Sequence, residues 1–149
     1  MSRVVGSERA IDVANRLRPV LLRLGRELRR EASAFGVTGG QATLLAVIEG
    51  RGPVAVGELA AGEGVSRAAM TKQVDRLEDA RLVRRARGST ADRRRVEVEL
   101  TDEGRRVLSR VRSHRTAWLA ARLERLDERE LAAVDAAIAP LAALLEADA

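Results

Sequence analysis

Along most of this chain apolar residues recur at steps of three and four, and in one stretch they alternate. The first pattern is that of a helix with one buried face, the second that of a half-buried strand. Residues 9–33 read as a long helix with Leu17, Leu21, Leu24 and Leu28 on one side. Pro19 lies inside this run and predicts a kink, or the first turn of a second helical piece. Thr38 and Gln41 have capping-box spacing and open a helix carrying Leu44, Leu45, Val47 and Ile48, apolar all round and ending near Gly50. Val54–Val56 follows a turn as a very short strand. A short helix from Glu58 is then broken by Gly62 and Gly64.

Ser66 is a good N-cap for the next helix, and Val65 with Met70 has the spacing of a hydrophobic staple. Met70, Val74 and Leu77 form its buried stripe, leaving Arg67, Thr71, Lys72, Gln73 and Arg76 outward. Leu82–Arg87 and Arg94–Leu100 read as two strands, the second alternating Val96, Val98 and Leu100 against Arg95, Glu97 and Glu99. Gly88–Arg93 is the hairpin loop between them. Thr101 caps a helix that runs to about Leu126, with Val107, Val111, His114, Trp118 and Ala121 along one side. Asp127 and Glu130 form a second capping box. Leu131, Val134, Ile138, Leu141 and Leu145 then make a narrow seam for a partner helix, bent at Pro140.

Charge changes this picture from a helical protein to a candidate polyanion binder. Ser66–Arg95 holds ten basic and four acidic residues, whereas the remainder of the chain holds 17 basic and 18 acidic ones. The whole excess of +5 is thus concentrated on one helix and one hairpin, the electrostatic footprint of a nucleic-acid binder. Lys72 is the only lysine. Arginine preference reflects a GC-rich coding bias as readily as function, but such a bias does not place the charge.

Helix, tight turn, helix and two-stranded hairpin make a winged helix-turn-helix. Its second helix must enter a major groove, which calls for short donors at the N-terminus and longer cationic or amide groups behind them. Ser66, Arg67, Thr71, Lys72, Gln73 and Arg76 supply those. A hairpin tip that reaches a narrow minor groove needs arginines, and Arg93, Arg94 and Arg95 supply those. Arg84, Arg85 and Arg87 read equally well as phosphate contacts or as an exposed strand edge.

Asp92-Arg93-Arg94, then five residues, then Leu100-Thr101 and Glu103-Gly104 is similar to the D-x-R…L-T-x-x-G wing signature of the MarR family of bacterial transcriptional regulators. Gly57-Glu58-Leu59-Ala60, Val65-Ser66, Met70-Thr71, Val74–Glu78 and Leu82–Arg85 resemble that family's paired helices. The resemblance covers nearly the whole chain. It implies a mainly α fold with a small β-hairpin wing, in which residues 38–101 bind DNA and helices in 1–37 and 102–149 dimerise. It further implies a homodimer on a pseudo-palindromic operator in double-stranded DNA, a repressor released by a small anionic or phenolic effector. By position, Arg94 would enter the minor groove and Asp92 would hold the wing in shape. The chain departs from the pattern at Arg81, where many members have Gly, at Glu63, where an apolar residue commonly packs, and at Ala55–Val56, which offer no cap.

The remaining candidates are weaker. The leucine seam with Leu17 reads as dimer packing. His114 and Trp118 are conceivable effector contacts, though interior or interface positions suit them better. One histidine and no cysteine give no convincing metal site and exclude disulfides and thiol-based peroxide sensing. No catalytic motif or cofactor cradle is present, so an enzyme is not expected. No apolar run spans a membrane and no secretory signal is apparent, which fits a cytoplasmic protein. The alternative reading is a winged-helix module that docks its basic face on an acidic protein.

Overall fold

The computed structural model describes the backbone of residues 2–87 and 96–146 and the side chains of 7–86 and 96–146. Helix α1 spans Ser2–Arg30 and passes through Pro19 as one continuous element, so no second piece begins there. A 3-10 turn, Glu31–Phe35, follows and closes on Gly36 at φ 73°. Helix α2, Gly39–Arg51, opens with the expected capping box: the Gln41 amide donates to the Thr38 hydroxyl and the Thr38 amide to the Gln41 side chain. Strand β1 is Val54–Ala55. Val56 already belongs to α3, Val56–Gly62, which starts without a side-chain cap.

Helix α4 is Arg67–Asp79, capped by Ser66, whose hydroxyl oxygen accepts from the Ala69 amide at 3.1 Å. Strands β2, Val83–Arg87, and β3, Val96–Leu100, pair antiparallel. Because β1 also pairs with β3, the sheet has three strands in the order β1-β3-β2, and β2 is an edge. Helix α5 spans Asp102–Leu123, and α6 spans Glu128–Glu146 through Pro140. The second capping box is present as expected, with Asp127 and Glu130 exchanging hydrogen bonds of 2.8 and 3.0 Å.

The chain divides into Met1–Ser113 and His114–Ala149. The first unit has one aliphatic core: Leu45 and Ile48 of α2, Leu59 of α3, Met70, Val74 and Leu77 of α4, Val83, Val98 and Leu100 of the sheet, and Leu108 and Val111 of α5. Each such side chain contributes about 1.5–3 kcal/mol on burial, so α4 is held by packing and not by its intrinsic propensity. In the second unit α6 has no buried residue.

Candidate nucleic-acid interface

Anchoring Met70, Val74 and Leu77 in the core turns the opposite side of α4 to solvent. Ser66, Arg67, Lys72 and Arg76 are exposed there, and Thr71 and Gln73 are half-buried on its two flanks. Among the described residues Arg67, Lys72 and Arg76 make no ion pair. Their charge is therefore available to a polyanion. Ser66 spends its oxygen on the helix cap but keeps its proton to donate. The Thr71 hydroxyl donates back to the Arg67 carbonyl at 2.8 Å, which leaves its oxygen as an acceptor.

The two flanks border different hollows. Arg67 and Thr71 meet Ala55–Glu58, Arg85 and Val96 around a space of about 530 Å³. Gln73 instead faces Gly40, Thr43, Leu44, Glu63, Val65 and Met70 around about 210 Å³. Glu63, the residue that closes α3, is exposed there. Arg93, Arg94, Arg95 and Asp92 lie outside the described residues.

The strand arginines take distinct roles. Arg84 lies opposite Glu99 on the outer face of the sheet, and their side chains pair at 2.7 Å. Arg85 lies opposite Val98, whose side chain is fully buried, so Arg85 points to the inner face. There its guanidinium donates to Asp75 at 2.6 Å and to Glu78, both on α4. The Asp75 carboxylate raises the Arg85 pKa against the opposing effect of burial, with Glu78 adding to the rise. A raised basic pKa stabilises the fold at every pH below the unfolded value and is lost only above it. For arginine both limits lie far above neutrality, so its own titration adds no pH dependence near neutral pH. Sequence reasoning missed this inward role. Its signal was the strand's own parity, since Arg85 is two residues from the buried Val83.

Where α4 ends, the chain folds tightly onto the start of α5. Arg81 adopts φ 60°, a left-handed conformation that costs a non-glycine residue about 1–2 kcal/mol. The Thr101 hydroxyl donates to the Arg81 carbonyl at 2.7 Å and accepts from the Gly104 amide at 3.0 Å. The Thr101 amide donates to the Leu82 carbonyl. A Cβ at Gly104 would stand 2.0 Å from that same carbonyl oxygen, which only glycine avoids.

The histidine and tryptophan singled out above lie on α5, half-buried. The Arg122 guanidinium sits 3.4 Å from the Trp118 ring centroid, and Arg122 also donates to the Trp118 carbonyl. One face of the indole is thus already occupied. Among the described residues no helix is long and apolar enough to cross a membrane.

The MarR family profile matches residues 35–95, the stretch that contains α2, α3, α4 and β2. Over 92% of this chain and 88% of its own length, the HTH-type transcriptional repressor MdtR of Bacillus subtilis is 32% identical. The chain belongs to the MarR family. The crystal structure of the YusO protein from Bacillus subtilis is similar with a TM-score of 0.71 at 30% identity, covering 91% of this chain and 96% of that one. A MarR family protein from Bacillus stearothermophilus shares the fold with a TM-score of 0.78 at 24% identity, over 94% and 97% of the two chains. The protein is accordingly a DNA-binding transcription regulator of the winged-helix type, and not an enzyme. In this MarR chain the Leu100-Thr101-x-x-Gly104 signature has a physical account. Leu100 fills the core, Thr101 fastens two turns together, and Gly104 makes room for the carbonyl between them.

Proposed function

We propose that this protein is a homodimeric, sequence-specific repressor that reads double-stranded DNA with α4 and the wing. The observation that carries the reading is α4 itself: a capped helix, anchored by three buried side chains, with three exposed cations that have no acidic partner among the described residues. In this reading Lys72 and Arg76 hold phosphates. Arg67 and Gln73 read base edges, Ser66 and Thr71 support them, and Arg93, Arg94 and Arg95 serve the minor groove. The similarity to MdtR, a repressor by name, supports repression.

Dimerisation rests on uncovered apolar faces. Val13, Val20, Leu21 and Leu24 of α1 are 39–53% exposed, with Leu17 half-buried beside them. Leu131, Val134, Ile138 and Leu145 of α6 are 42–85% exposed, with Leu141 half-buried among them. Faces of this kind call for a partner, and a second copy in the cytoplasm of the cell supplies it. Residues 1–37 and 102–149 then serve as arms and 38–101 as the DNA-binding module. A small anionic effector suits the 530 Å³ hollow, which Arg67 and Thr71 line. Its capture of Arg67 would weaken DNA binding.

Selection of bound sites from random duplexes, followed by salt titration, tests the reading. Log affinity falls with log salt by about 0.9 per phosphate engaged. Lys72→Ala, which removes one phosphate contact from each subunit of the dimer, reduces that slope by about two without changing base preference, whereas Arg67→Ala loses about 1–3 kcal/mol of discrimination per half-site. A flat salt response, or equal affinity for every duplex, sinks the repressor and favours docking on an acidic protein.

A further inference from the structure

We propose that Arg85 is a positioning residue for DNA reading: it ties the wing strand to the recognition helix through Asp75 and Glu78, and these two carboxylates contribute to specificity without touching DNA. The inference rests on the DNA-binding reading above. Its ground is the placement of a charge where the strand pattern calls for an apolar side chain. Val83 and Val98 on the same inner face are fully buried, and Arg85 follows them in register with its side chain only 27% exposed. An inward guanidinium is tolerated when it is paired and hydrogen-bonded. Asp75 and Glu78, one helical turn apart on α4, are the two partners within reach.

Glu78 has a second task. The Arg85 amide donates to its carboxylate at 3.2 Å, which satisfies a backbone donor of the edge strand. Helix and strand are thus joined by a guanidinium bridging two carboxylates and by a main-chain bond from the same residue. Planar, multidentate contacts of this kind fix orientation as well as distance. The strand they fix leads directly into the wing, and the helix they fix carries Lys72 and Arg76. The clamp also neutralises Asp75, which otherwise presents a carboxylate one turn from Lys72 on the exposed side of α4.

Charge counting and the clamp predict opposite signs for one variant, and this separates them. Asp75→Asn with Glu78→Gln removes two negative charges beside the DNA face, so Coulomb attraction alone strengthens binding to any duplex. The clamp predicts that affinity for random-sequence duplex rises while affinity for the selected operator falls by about tenfold, the order of one lost bidentate base contact. The ratio of the two affinities is the readout, because partial unfolding lowers both alike. Arg85→Gln lowers both affinities, the operator's more. Arg85→Lys keeps the charge with a single ammonium and recovers part of the ratio. Should Arg85→Gln fail to fold, the carboxylate pair carries the test alone. A ratio at the wild-type value, or operator affinity rising in step with random-duplex affinity, overturns the clamp while leaving the regulator reading intact. Wild-type protein that discriminates no duplex overturns both.

Discussion

Helices α4 and α6 carry the same kind of stripe and meet different fates. Met70, Val74 and Leu77 recur at four and three, and each is at most 1% exposed. Leu131, Val134, Ile138, Leu141 and Leu145 recur at three and four, and no α6 residue is buried. The first stripe faces α3 and β2 of its own unit, while the second meets no comparable layer among the described residues. Periodicity therefore specifies that a face exists but says nothing about what lies on it. The helix whose cover is built in is fixed with its cationic side outward. The helix whose cover is missing leaves its apolar stripe exposed, the face that the proposed dimer would cover.

Substitutions on the two stripes should separate these cases. The largest effect is expected at Leu77→Ala, which opens a cavity in a closed core and costs about 2–5 kcal/mol. Because that cover is intramolecular, the loss in thermal stability is the same at every protein concentration. Ile138→Lys with Leu145→Lys should leave the α2–β3 module folded but yield a single subunit by light scattering, with operator binding greatly reduced. If that variant stays dimeric, the α6 stripe is not the interface. The smallest effect sharpens the α4 side of the comparison. Arg81→Gly relieves the left-handed strain at the helix end and should stabilise by about 1 kcal/mol, measured as a raised denaturant midpoint. An unchanged or lowered midpoint would show that the Arg81 side chain repays its strain by contacts of its own.

Much of α4 could be read beforehand because the rules that shape it are local. The Ser66 cap, the stripe behind it and the boxes at Thr38–Gln41 and Asp127–Glu130 all act over three or four residues. Arg81, which stands where the family pattern has Gly, adopts the positive φ that such a glycine suits. What resisted reading depended on partners distant in sequence. Arg85 looked like part of a basic edge because Leu82–Arg87 is rich in arginine; its parity with Val83 gave the face, but only the pairing with Val98 and the reach to Asp75 and Glu78 show what receives it. The split at Pro19 was one of two expectations, and the continuous α1 excludes it. Proline removes one donor, and a long helix survives that loss. The hollow beside Arg67 and Thr71 joins α3, α4 and the sheet, so no single segment announced it. The wing arginines rest on the signature alone.

One compositional accident has a practical use. Since Lys72 is the chain's single lysine and stands in the open on α4, acylating reagents have one side-chain amine to modify. Its labelling rate becomes a built-in gauge of the proposed interface: if α4 meets DNA as proposed, bound duplex slows it, whereas subunit exchange through the proposed α6 contact would leave it unchanged.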